Sequence, residues 1–239
     1  VATPEEAQQE QDAAAERFYP VAAYAIGSAL NLEPPNFDVP VPPGIEPAVK
    51  LILLDILVWL ITGSKTETPD APMPTPTEIQ HTADVMTPPV VDEAWNWAVE
   101  YAKSLDEAGT KSGITTDQLD ARAQALARTL ATRATSEGAL ATGHLLSMPY
   151  KIWITRGDPT VRESHRRLHG HPVPMDTPFR KWPTGQVLDF PGDPRAPLNE
   201  TANCRCMVIF AETAEGVSKA LAPANLDEAF TMAASAQED

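Results

Sequence analysis

Cysteine is nearly absent: the 239 residues hold two, Cys204 and Cys206, a single residue apart. Secreted domains built on disulfides carry many more. A bridge between positions i and i+2 would also close a small, strained ring. The pair therefore reads as reduced thiols or metal ligands, in keeping with a chain made in a cytoplasm. Basic charge is short as well, with 18 Lys and Arg against 33 Asp and Glu and a net charge of −15. A surface that clamps a nucleic acid backbone needs the opposite balance. The longest apolar run, Ala48 to Thr62, is interrupted by Lys50 and Asp55. A membrane span needs roughly 20 mostly apolar residues, so a buried or partner-docked helix is expected there and no membrane span. The segment from Val1 to Asp12 is acidic and polar, unlike a signal peptide. Neither the G-x-x-x-x-G-K-[ST] phosphate loop nor H-E-x-x-H occurs, and Ser136, Ser147 and Ser164 stand in no nucleophile motif.

What is abundant is proline, 24 residues of it beside only 6% aromatics. A large share of linker or irregular chain is therefore expected, and the prolines divide the sequence. Residues 1–90 read as a helical, proline-rich extended region: a frayed helix or tail over 1–16 and a short apolar helix over 17–32. A proline-extended segment reaches Pro47, the apolar helix covers 48–62, and a second linker covers 64–90 with Pro76, Pro88 and Pro89. Residues 91–148 read as a helical region. Trp95, Val99 and Ala102 recur at helical steps, Gly109 and Gly113 interrupt, and Thr115 or Thr116 caps a second helix. Leu119, Ala123, Leu126, Ala127, Leu130 and Ala134 form its apolar stripe, and Gly138 and Gly143 are expected to break it.

From residue 149 to 212 the pattern changes to a small α+β domain. Residues 151–155 and 207–210 are rich in β-branched and aromatic side chains and predict two adjacent strands. Gly157-Asp158-Pro159 predicts a turn, with Asp158 as N-cap of a helix over 160–169. A long loop covers 171–202, and 213–239 is a C-terminal tail. The fold class is α+β: a mainly helical, proline-linked N-terminal region followed by a small α+β C-terminal domain. On this division a fragment of residues 91–239 is expected to fold without the first 90.

Several short patterns follow one another in the C-terminal half. They are Lys151-Ile152-Trp153-Ile154-Thr155, then Asp158, Arg162, His165, Gly170 and Phe179, then Phe190-Pro191-Gly192-Asp193-Pro194, and Asn203-Cys204-Arg205-Cys206. In this order they resemble the head morphogenesis domain of phage Mu F-like minor capsid proteins. Ala127-Arg128-Thr129 looks like that family's lead-in helix. The resemblance marks Trp153, Asp158, Arg162, His165, Gly192, Asp193, Asn203, Cys204 and Cys206 as motif residues. It implies a minor structural protein of a tailed-phage head, made in the host cytoplasm. Its place would be the virion, at the portal vertex or head interior, in head assembly or genome delivery. The implied partners are the portal and/or major capsid protein. It implies no known reaction.

The same residues can be read chemically. His165 and His169 are four apart and share a helix face, while Cys204 and Cys206 share one side of an extended segment. Those four donors suit a tetrahedral zinc site that would pin the long loop. The other reading is two thiols packed as small hydrophobes, with His165 bonded to a loop carbonyl or to Asp193. An arrangement of Asp158, Arg162 and His165 has a possible base but no evident nucleophile, so an ordinary cap and i,i+4 pair is the expectation. Asn203 is expected to bond the loop backbone and Gly192 to supply an unusual φ. An alternative function is a metal-dependent enzyme or effector packaged in the virion. Residues 150–210 carry nine basic and six acidic side chains, which allows weak contact with packaged DNA.

Overall fold

A computed structural model describes residues 3–32, 39–64, 73–180 and 185–212 of the chain. The tail over 213–239, Pro34, Pro35, Pro69, Pro72 and Pro183 lie outside the described residues. The fold is mainly helical α+β. Four long helices come first: α1 (Pro4–Leu30), α2 (Ile45–Ser64), α3 (Pro76–Glu107) and α4 (Thr116–Leu145). The C-terminal part then runs β1 (Tyr150–Ile154), α5 (Glu163–Arg166), β2 (Pro172–Pro174), β3 (Phe179–Arg180), β4 (Val187–Leu188), α6 (Leu198–Thr201) and β5 (Met207–Ala211).

Three of the long helices start on the same device. Thr3, Thr75 and Thr115 each accept a hydrogen bond from the backbone N–H three residues on, and Glu6, Glu78 and Gln118 reach back to the cap N–H. This reciprocal box satisfies two donors that a helix start leaves free, and Pro4 and Pro76 fill the first helical position, where no N–H is needed.

Here the structure corrects the sequence reading. The segments expected over 1–16 and 17–32 merge into one helix, α1 (Pro4–Leu30), that runs through Pro20. The extended segment stops short of Pro47, which sits in the first turn of α2. The expected linker over 64–90 is helical from Pro76, so α3 passes through Pro88 and Pro89 and across the expected boundary at 90/91. The physical reason lies in which carbonyls lose their donors. A helical proline deprives the carbonyl four residues back; for Pro20 that is Glu16, and for Pro88 and Pro89 it is Asp84 and Val85, all three exposed. Water can bond those groups, so the loss is small. Gly138 and Gly143 likewise lie inside α4. A Cβ on Gly138 would meet Leu60 at 3.2 Å and Ile56 at 3.4 Å, so the glycine sets how closely α2 approaches α4.

The four helices share one core. Phe18 and Ile26 of α1, Leu53 and Ile56 of α2, Trp95 of α3 and Leu126 of α4 belong to it. The apolar run of α2 is thus mainly absorbed within the chain, leaving Leu51 and Val58 exposed. No helix among the described residues is long and apolar enough to cross a membrane.

The sheet is antiparallel throughout, in the order β2-β1-β5, with Trp153 opposite Val208 and Tyr150 opposite Pro174. The two expected strands are therefore neighbours, with β1 in the centre. Alternation sends Trp153, Val208 and Phe210 to one side, in a core with Leu146 and Met148 from the end of α4. Ile152, Ile154, Met207 and Ile209 face the other way, where Ala7 of α1 packs. The long loop is partly ordered as β2 and the hairpin β3-β4. Because α1 covers the helical core and the far side of the sheet together, the fold offers no seam at residue 90.

Candidate functional site

Cys204 and Cys206 lie in the segment entering β5, and both Sγ atoms face His165. α5 is a single turn packed over them, and it delivers His165. The His165 Nδ1 lies 3.5 Å from the Sγ of Cys204 and 3.5 Å from the Sγ of Cys206. The three donor atoms fall within 4.8 Å of one another and all three residues are buried. On the other side of the ring, Nε2 is 3.1 Å from Oε2 of Glu200 on α6, which also accepts from the Ser164 hydroxyl at 3.2 Å. Trp153 meets the imidazole edge to face, with centroids 5.1 Å apart and planes at 72°.

The thiols share their protons unequally. A hydrogen bond from Cys206, opposed by burial and helped by His165, pulls the Cys204 thiol well below its ordinary range. The same bond and burial push Cys206 up, while the Trp153 indole N–H favours its thiolate. That N–H is buried, and no other acceptor reaches it among the described residues.

His169 does not join the cluster. Its Nδ1 accepts the Thr155 backbone N–H at 3.0 Å, and Gly170 donates to the Trp153 carbonyl at 2.9 Å. Burial, then His171, lowers the His169 pKa, so the ring is neutral near pH 7. The expected common face of His165 and His169 is lost because α5 covers only Glu163–Arg166. For the same reason Asp158 is not a helix cap: it closes a turn, accepting from the Thr160 N–H at 2.9 Å, and pairs with Arg205 at 2.7 Å. The hydrogen bond from the Thr160 hydroxyl is the first cause that lowers its pKa. Arg162 donates to the Ala202 carbonyl at 2.6 Å rather than to Asp158.

The remaining motif residues hold the backbone in place. Asn203 adopts φ +54°, which asparagine tolerates better than most residues. Its amide oxygen accepts from Arg128 at 2.7 Å and its N–H donates to Thr129 at 3.0 Å. The lead-in helix and the cysteine turn are thus directly joined. Asp193, 1% exposed, accepts the Asp189 N–H at 2.8 Å and the Arg195 N–H at 3.0 Å. Burial would raise its pKa, but Arg195 and these N–H groups outweigh it and the pKa falls. The carboxylate expected beside His165 is therefore Glu200, and Asp193 closes its own turn.

Gly192 has φ +83°, and a Cβ there would stand 3.1 Å from the Arg133 backbone of α4. Gly192→Ala is expected to destabilise the chain by about 1–3 kcal/mol, since alanine strains at that φ and has nowhere to retreat. Thermal unfolding of the full chain checks it; an unchanged midpoint would contradict the assignment.

Three residues that sequence reasoning passed over complete the surroundings. Glu200 orients His165. Gln11 of α1 donates to the Cys206 carbonyl at 2.9 Å and to the Thr132 hydroxyl at 3.2 Å. Thr132 of α4 in turn donates to the Cys204 carbonyl. A cavity of about 630 Å³ opens over the cluster, bounded by Arg128, Arg156, Arg162 and Arg205 as well as the three donors. The larger groove of about 1610 Å³ between α3 and α4 is lined by Asp92, Trp97 and Tyr101 and gathers no comparable set of donors.

Residues 96–209 match the family described as Phage Mu protein F like protein. No curated protein and no solved structure matches the chain.

Proposed function

We propose, from the match of residues 96–209 to the phage Mu protein F like family, that this chain is a minor structural protein of a tailed-phage head. It is placed at the portal vertex or head interior and acts in head assembly or genome delivery. Its partners are then the portal and/or the major capsid protein, with at most weak contact to packaged DNA.

The observation that carries the structural reading is how the family's motif residues are used. Trp153, Gly192, Asp193 and Asn203 are spent on tying β1, the loop and α4 together. Asp158 and Arg162 secure turns beside the cysteines. A scaffold that must survive assembly needs such internal ties, and the motif residues that line a cavity are Arg162, His165, Asn203, Cys204 and Cys206. The net charge of −15 supports protein partners over a grip on DNA.

Gel and mass-spectrometric analysis of heads purified by density gradient tests this. The chain is expected in intact heads at a few copies per particle, held through high-salt washing. Disrupting its coding sequence is expected to give defective or non-infectious heads, restored by complementation. Absence from heads that are otherwise complete and infectious would overturn the proposal.

A further inference from the structure

We propose that His165, Cys204 and Cys206 form a zinc-class metal site with three protein ligands and a fourth position turned to the arginine-lined cavity. Its footing is the geometry of the cluster and is independent of where the protein sits in a virion.

The spacing is the first argument. Zinc holds thiolate at about 2.3 Å and imidazole at about 2.0–2.1 Å, and a tetrahedral angle between them separates sulfur from nitrogen by about 3.6 Å. Both Sγ–Nδ1 distances here are 3.5 Å. A hydrogen bond alone would favour one sulfur, because Nδ1 has a single in-plane direction in which to donate or accept. A cation seated among the three atoms accounts for equal distances to both.

The surroundings supply what such a site requires. Glu200 lies 3.1 Å from Nε2, so in the neutral ring with its proton on Nε2 the Nδ1 lone pair would face the sulfurs. A carboxylate behind a ligating histidine fixes its tautomer and raises its basicity. Ligation needs thiolates. The buried Trp153 indole N–H has no other acceptor among the described residues, and the Trp153 ring packs edge to face on His165. Two sulfurs and one imidazole select zinc-class ions over magnesium or calcium, which take oxygen donors.

His169, the fourth ligand expected from spacing, is committed to Thr155. Among the described residues no other His, Cys, Asp or Glu completes the group. The three donors line the cavity together with Arg128, Arg156, Arg162 and Arg205. The fourth ligand is therefore water or a small anion entering from that side, since guanidinium groups favour negative charge there.

The test uses the full chain purified without chelator. Elemental analysis is expected to find one zinc per chain. Exchange for cobalt is expected to give a thiolate-to-metal charge-transfer band and tetrahedral ligand-field bands. Cys204→Ser and Cys206→Ser should each abolish the charge-transfer pattern of a two-thiolate site. His169→Ala should keep the metal, and Glu200→Gln should weaken its binding about 10–100-fold. Azide should shift the cobalt bands. If the serine variants fail to fold, the spectrum of the parent chain decides. A folded parent chain that purifies without metal and takes up cobalt without a charge-transfer band overturns the site. Loss of metal from folded His169→Ala overturns the three-ligand set, and bands unmoved by azide overturn the open position.

Discussion

Arg133→Ala is expected to cost about 3–5 kcal/mol, the usual consequence of removing one partner from a buried ion pair. Arg133 lies on α4 with its side chain 5% exposed. Its guanidinium donates to Glu93 at 2.7 Å and to the Pro89 carbonyl at 2.9 Å, and its Nε lies 3.3 Å from Glu137. Burial pushes both glutamates above their ordinary pKa, and Arg133 is what opposes that rise. Without it, two carboxylates remain in an apolar setting with no cation. The sign of the pH dependence follows. A carboxyl whose folded pKa is raised binds protons more readily when folded, so stability falls as pH rises between the unfolded and folded values. The difference between Arg133→Ala and the parent should therefore narrow as pH falls from 7 towards 4.5, the ordinary value for these side chains. Denaturant unfolding of both full chains at several pH values measures it. A difference below about 1 kcal/mol at pH 7, as for an exposed pair, or one independent of pH, would refute the account. Arg133→Met combined with Glu93→Gln should recover part of the loss, since the charge left behind is the main penalty.

Removing α1, by deleting residues 1–32, is expected to abolish cooperative folding. Phe18, Val21 and Ile26 are buried side chains of α1 in the shared helical core. Burial of each contributes about 1.5–3 kcal/mol, and together they approach the roughly 5–15 kcal/mol by which an ordinary domain is stable. The deletion also strips Ala7 from the far side of the sheet and takes away the Gln11 amide that holds the Cys206 carbonyl. The truncated chain should show a broad thermal profile and exposed apolar surface by dye binding. A sharp transition near the parent's midpoint would show that residues 33–239 fold by themselves. The structure thus argues against the expectation that residues 91–239 are a self-sufficient fragment.

What could be read from the sequence was local. The strands β1 and β5 are dense in β-branched and aromatic residues, and they lie where that composition put them. Thr115 or Thr116 was expected to cap the helix that follows, and Thr115 is the cap. Thr3–Glu6 and Thr75–Glu78 carry the same cap spacing, which the reading of 1–16 as a frayed helix or tail and of 64–90 as a proline linker left unused, and Pro20, Pro88 and Pro89 follow them inside the helices. Those prolines were misjudged because one letter of sequence does not reveal whether the carbonyl behind it faces water. Gly138 misled in the same way: it looked like a helix end, and it is a place where another helix comes close.

By itself the sequence determined the α+β class and the adjacency of the first and last strands of the C-terminal part, and it offered His165 beside the two cysteines as one of two readings. The class and the two strands are legible because each element's periodicity and composition are set over a few residues. Only the tertiary structure decided that Glu200 and not Asp193 stands behind His165, that His169 is engaged elsewhere, and that Arg133 balances two buried glutamates. It also decided that α1 packs on the sheet more than a hundred residues away, with Gln11 reaching Cys206. The reason is that a buried polar group must find a partner wherever the packed chain supplies one, and distance along the sequence carries no record of which groups burial brings together.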